Sequence, residues 1–100
     1  MSYRRVDVGE FAAAARDGAQ VLDVSSPAEW ESGRVPGAVL CCLPDLVASA
    51  PPELRRDRPV WVACTSGYRA SIAAGLLERH GFTPVVLSQG GIPDVVDQLS

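Results

Sequence analysis

The middle of the chain reads Pro59-Val60-Trp61-Val62-Ala63-Cys64-Thr65-Ser66-Gly67-Tyr68-Arg69 and runs on from Ala70 to His80. Residues 59–63 form a short, valine-rich apolar run and predict a buried strand. Residues 70–80 predict a helix with Ile72, Ala73, Leu76 and Leu77 on one face. Cys64 therefore stands where a strand ends, just before a helix starts. Backbone N–H groups converge in such a turn, and the helix adds its positive end. Both favour a thiolate over a thiol. Arg69 adds a fixed positive charge, with four residues between it and the cysteine. Cys64 is the candidate nucleophile, and the short loop is its anion cradle.

Working outward, Gly81 suits a left-handed C-cap for the helix, with His80 in its last turn. Val85 to Leu87 predict the last strand. Gln89-Gly90-Gly91 read as a flexible turn, and Ile92 to Leu99 as a closing helix with Pro93 in its first turn. Upstream, Arg4-Arg5-Val6 predict a short edge strand. Asp7 and Glu10 have the spacing of a capping box for a helix from Val8 to Arg16 that buries Phe11 and Ala15. Ala19 to Val24 predict a second buried parallel strand. Ser26, Pro27 and Glu29 then mark another helix start, with Trp30 packing inward. Gly33 ends that helix and Pro36-Gly37 turn the chain. Ala38 to Cys42 read as a strand, and Asp45 to Ala48 as a short helix begun by Pro44. Residues 53–58 form a polar connection whose Arg55, Arg56 and Arg58 read as a solvated surface loop.

Strand and helix alternate throughout, which predicts a single α/β domain over residues 1–100: a three-layer sandwich around a mainly parallel sheet. Ligands of such sheets bind outside the carboxyl ends of the strands. Cys64 lies at one of those ends, so topology and chemistry agree.

Composition narrows the function classes. One hundred residues suffice for one domain with its own core, and 47% apolar with 21% charged residues is ordinary for a globular chain. The net charge of −3 argues against broad binding to nucleic acid or anionic membranes. All nine basic residues are arginine, a bias of the kind GC-rich bacterial genomes produce. No apolar run reaches membrane-spanning length, and no apolar segment follows the N-terminal Met1 to Arg5, so a cytoplasmic location is expected. Cys41 and Cys42 are adjacent, which suits neither a mutual disulfide nor paired zinc ligands. In a predicted strand they read as core packing rather than as a redox or sulfur-relay pair. Asp23, at a strand end, reads as a partner for nearby amides rather than as a catalytic acid. Arg34 either lines the pocket entrance or pairs with an acidic neighbour. Trp30 and Trp61 read as core aromatics. His80 lies at the wrong end of its helix to serve Cys64 as a base.

Three stretches, in order, resemble the rhodanese-like domain family. They are Leu22-Asp23-Val24 with Pro27, Glu29 and Trp30; Gly33-Arg34-Val35-Pro36-Gly37-Ala38; and Cys64 to Arg69 with Gly90-Gly91-Ile92 downstream. The resemblance covers nearly the whole chain. It implies a central five-stranded parallel sheet with helices on both faces. It also implies sulfur transfer without metal or organic cofactor. In that chemistry Cys64 takes a sulfane sulfur from a donor such as thiosulfate, a persulfide or a polysulfide. The resulting persulfide passes it to cyanide, a thiol or an acceptor protein.

By matching position, Cys64 would carry the persulfide and the amides of Thr65, Ser66, Gly67, Tyr68 and Arg69 would surround it. Gly67 would let the loop turn tightly. Arg69 would either grip an incoming sulfonate or brace the loop from outside. The chain departs from the family pattern at Ser25, where arginine is usual, and at Arg34, where histidine is usual. Thr65 and Ser66 are neutral where thiosulfate-using relatives often carry bases, which favours persulfide donors. The rival reading is a non-catalytic sulfur-carrier or regulatory interaction module on the same fold. Phosphoryl transfer is disfavoured, because cysteine phosphatases space cysteine and arginine by five residues and this loop has four.

Overall fold

The computed structural model describes residues 3–65 and 68–99. Ten elements alternate along the chain. They are β1 Arg4–Val6, α1 Val8–Arg16, β2 Gln20–Asp23, α2 Pro27–Glu31, β3 Val39–Leu40, α3 Leu43–Ala48, β4 Val60–Ala63, α4 Tyr68–Arg79, β5 Pro84–Leu87 and α5 Ile92–Leu99. The five strands form one all-parallel sheet in the order β1-β5-β4-β2-β3.

Strand periodicity divides the core in two. Leu22, Val60, Val62 and Val86 face a cluster that contains Leu46 of α3 and Ala73, Ala74 and Leu77 of α4. Val21, Ala63, Val85 and Leu87 face the opposite cluster, with Phe11 and Ala12 of α1 and Ile92 and Val95 of α5. With helices on both faces, β5 is buried along its whole length, which is why its residues read as a continuous apolar run.

The capping signals fold fully at Ser26 and in half at Asp7, where the Glu10 carboxylate pairs with Arg4 instead of closing the box. The Asp7 side chain accepts the Glu10 amide at 2.9 Å. Ser26 and Glu29 exchange both bonds of a capping box ahead of α2, behind Pro27 at the first helical position. Gly81 takes φ +87, ending α4 as a left-handed cap.

Four expectations change. β3 spans only Val39–Leu40, because Cys41 and Cys42 leave the ladder and Cys42 becomes the N-cap of α3. The buried face of α4 is Ala70, Ala73, Ala74 and Leu77, whereas Ile72 is 43% exposed. The helix starts two residues earlier than expected and is packed by its small residues, which let it lie close to the sheet. Arg56 and Arg58 are not merely solvated: Arg56 Nε donates to the His80 carbonyl at 2.8 Å and stacks on Phe82, and Arg58 donates to the Gly18 carbonyl at 2.8 Å. Both tie the 53–58 connection to neighbouring turns. Trp61 is half-buried rather than fully buried, edge-on to Phe11 with centroids 5.8 Å apart.

The strand order also locates a crevice. After β2 the chain goes outward to β3 on one side, and after β4 it goes to β5 on the other. β2 and β4 are neighbours, so their carboxyl ends mark the point where the winding reverses. That is where a doubly wound sheet opens a cleft.

Candidate active site

Cys64 follows β4 directly, at this switch point. Across from it the chain leaves β2 through Val24 and Ser25, and the Val24 amide still bonds the Ala63 carbonyl at 3.0 Å. Two loops therefore leave the sheet side by side, one carrying Ser25 to Glu29 and the other Cys64 to Arg69.

Side chains lock these loops together. Arg69, in the first turn of α4, meets Glu29 of α2 through both outer guanidinium nitrogens: Nη1 to Oε1 at 2.8 Å and Nη2 to Oε2 at 2.9 Å. Such forked pairing fixes geometry as well as charge. Glu29 Oε1 also accepts the Ser26 amide at 2.8 Å. The Glu29 carboxyl is held well below the usual carboxylate range, first by Arg69, then by the Ser26 amide and the Thr65 hydroxyl, against the opposing cost of burial. Arg69 is pushed up in turn, chiefly by Glu29. Nearer the sheet, the Thr65 hydroxyl donates to the Ser25 hydroxyl at 3.2 Å.

A third segment presses on the loop. The Ile92 amide donates to the Cys64 carbonyl at 3.1 Å. Gly91 lies so close that a Cβ on it would fall within bonding range of the Thr65 carbonyl. The Gly91 amide is held in turn by Asp94 Oδ2 at 2.9 Å. The glycine pair expected as a flexible turn is a packed junction between α5 and the cysteine loop, and only a residue without a side chain fits there.

The expected site residues are placed as follows. Cys64 is fully buried, in the cluster that includes Val24 and Ala70. Thr65 is half-buried, Tyr68 is 75% exposed on the first turn of α4, and Arg69 is half-buried on Glu29. Ser66 and Gly67 lie outside the described residues. Asp23 behaves as expected toward its neighbours, accepting the Ser25 amide at 2.9 Å through Oδ1. Arg34 is exposed. Cys41 is half-buried, its thiol pushed up first by burial and then by Asp45, and the Cys42 thiol donates to Asp45 Oδ2 at 3.2 Å.

The sequence reading missed one functional side chain. Glu29 is legible there as a capping-box glutamate and as part of the first family-like stretch, yet it is also the partner of Arg69, forty positions away. The signal available was topological: a helix leaving β2 must face the loop leaving β4 once those two strands are neighbours.

A cysteine at a β/α switch point, in a short loop clamped by an arginine and a glycine junction, defines a rhodanese-type α/β domain. The chain belongs to the rhodanese-like domain family, whose pattern it matches over residues 7–98. It is 37% identical over 82 residues to the uncharacterized protein YqhL of Bacillus subtilis, covering 82% of this chain and 64% of that one. The chain thus spans somewhat under two thirds of that relative's length. It is 29% identical over 92 residues to the thiosulfate sulfurtransferase GlpE of Stutzerimonas stutzeri, covering 89% and 81% of the two chains. Its fold matches the rhodanese-related protein of Thermoplasma volcanium with a TM-score of 0.80 at 25% identity, over 96% and 93% of the two chains.

Proposed function

We propose that the protein is a sulfurtransferase working through a persulfide on Cys64. One observation carries the reading: Cys64 directly follows β4 at the β2/β4 switch point, at the head of the short connection that leads to α4. The first amides of a helix have no partner within it. In this proposal the amides of Thr65, Ser66, Gly67, Tyr68 and Arg69 serve as the donors for the charge on sulfur, as fixed dipoles that need no reorganisation at the moment of transfer.

The chemistry is two thiol–disulfide-type exchanges. The Cys64 thiolate attacks the outer sulfur of the donor. A sulfur–sulfur bond forms at Cys64 as the donor's breaks, and a thiolate leaves, or sulfite when the donor is thiosulfate. An acceptor thiolate, cyanide or acceptor protein then takes the outer sulfur and frees Cys64. Cys64 has no exposed surface, so each exchange requires that its sulfur be uncovered. We assign Arg69 to bracing that loop rather than to gripping a sulfonate, since both its outer nitrogens are already engaged by Glu29. With Thr65 and Ser66 neutral, a persulfide or polysulfide is the better donor and thiosulfate the poorer.

Mass spectrometry of the folded protein after incubation with glutathione persulfide, and separately with thiosulfate, tests the reading. The expected result is one added sulfur on Cys64, in higher yield with the persulfide. No adduct with either donor on folded protein removes the transferase reading in favour of a non-catalytic interaction module.

A further inference from the structure

Beside the cysteine loop lies a cavity of about 190 Å³, bounded by Asp23, Ser25, Glu29, Thr65, Val96 and Asp97 among others. That is below the roughly 300–1,000 Å³ of pockets for drug-sized ligands. It suits a molecule of a few heavy atoms. Among the described residues its wall holds three carboxyl groups and no arginine or histidine. Glu29 is taken up by Arg69 and the Ser26 amide. Asp23 is different: it is fully buried, Oδ1 accepts the Ser25 amide, and among the described residues Oδ2 has no hydrogen-bond partner. A buried carboxyl oxygen without a donor is costly, and a cavity at its side is where a donor would come from. Asp97 stands exposed on α5 at the same cavity.

We infer that this cavity is the acceptor subsite, and that it selects small thiols carrying a primary ammonium group. An ammonium brings three donors and no acceptor, which matches an unpaired carboxyl oxygen inside and a second carboxyl outside. Thr65, next to Cys64 in the chain, also lines the cavity, which places the cavity beside the cysteine loop. This reading rests on the transferase proposal. The aminothiolate attacks the outer sulfur of the Cys64 persulfide, the sulfur–sulfur bond at Cys64 breaks, and the products are the aminothiol persulfide and the Cys64 thiolate. The outer sulfur keeps its proton, and no further oxidant or reductant takes part. Anionic acceptors meet a wall of like charge.

The binding half is tested without any sulfur transfer. The full chain bearing Cys64→Ser is titrated with ethylammonium chloride and followed by amide NMR, with sodium chloride at equal ionic strength as reference. Expected are saturable shifts at Ser25, Thr65 and Val96 that sodium does not produce. Affinity should fall about tenfold in Asp23→Asn, the factor for one charge-assisted hydrogen bond, and less in the exposed Asp97→Asn. Shifts matched by sodium, or an affinity unchanged in both variants, overturn the subsite. On the persulfide-loaded protein, KM for cysteamine should lie at least tenfold below that for 2-mercaptoethanol, and the gap should close in Asp23→Asn. Equal KM values for the two thiols in the unmodified protein also overturn it. If Cys64 takes up no sulfur at all, the transferase proposal fails while the ammonium titration still decides the cavity.

Discussion

Arg69 and Glu29 meet through two parallel hydrogen bonds of 2.8 and 2.9 Å, joining the loop after β4 to the helix after β2. Their side chains are only 31% and 30% exposed, so solvent screens the pair less than a surface ion pair. Arg69 also sits at the N-terminal end of α4, where a lone cation is unfavourable to the helix dipole. Glu29 offsets that cost. Glu29→Gln keeps the shape and one acceptor but removes the charge. It should lower stability by about 1–2 kcal/mol and slow sulfur uptake by Cys64 more than its stability loss explains. Denaturant unfolding and single-turnover uptake, measured on the same sample, separate the two effects. Unaltered uptake would mean that the brace does not serve the loop.

Acid should expose the same pair. Glu29 is held well below its ordinary value of 4.5, so its ionised form is favoured by folding. The contribution is fully present above the ordinary value, declines below it, and is gone once the pH passes beneath the depressed folded value. The stability gap between the parent and Glu29→Gln should therefore be flat from neutral pH down to about 5 and narrow in stronger acid. Urea titrations at a series of pH values read this directly. A gap of constant size from pH 7 to pH 3 would mean that something other than the carboxylate charge sets it.

Gly91 makes a sharper demand. Any Cβ there collides with the Thr65 carbonyl and comes close to that of Cys64, both backbone groups that cannot swing aside. Gly91→Ala should push the cysteine loop away from α5 and break the Ile92-to-Cys64 hydrogen bond. A loss of about 2–4 kcal/mol is in line with overpacking at a backbone contact, together with a drop in sulfur uptake. Gly37, by contrast, has open space around it and φ +80, so Gly37→Ala should cost only the left-handed backbone penalty of about 1 kcal/mol. Thermal melts of the two variants rank them, and similar losses would remove the argument from loop contact.

How much of this was legible in the sequence follows from range. Signals acting within one helical turn were readable: the Asp7 cap, the Ser26–Glu29 box, Pro27 and Gly81 all act where their spacing puts them. The strand before Cys64 and the helix after it were legible from periodicity, and so was the parallel sheet. Facts that depend on which strand lies beside which were not. The Arg69–Glu29 pair, the pressure of Gly91 on Thr65 and the unpaired Asp23 Oδ2 all arise because β2 neighbours β4 and α5 packs against the loop. The misassigned face of α4 has a local cause. Three alanines and Gly75 let several faces pass for the apolar one, and the close approach to the sheet chose the face with the smallest residues. Cys41 and Cys42 were read as strand because apolar character persists past Leu40, although the ladder ends there.

Cys64→Ser is the remaining test, and its interpretation turns on burial. The side chain is fully enclosed, so a serine hydroxyl placed there gives up its hydration. A cost of about 1–2 kcal/mol is expected, with the fold retained. Sulfur uptake should vanish, because a neutral hydroxyl does not attack sulfane sulfur as a thiolate does. Cys41 is the control thiol. Burial and then Asp45 push its thiol up, so it is a poor nucleophile near neutral pH. Cys41→Ser should therefore take up sulfur at close to the parent's rate. If Cys64→Ser still gains a sulfur atom and Cys41→Ser does not, the persulfide resides at the end of β3 rather than at the end of β4.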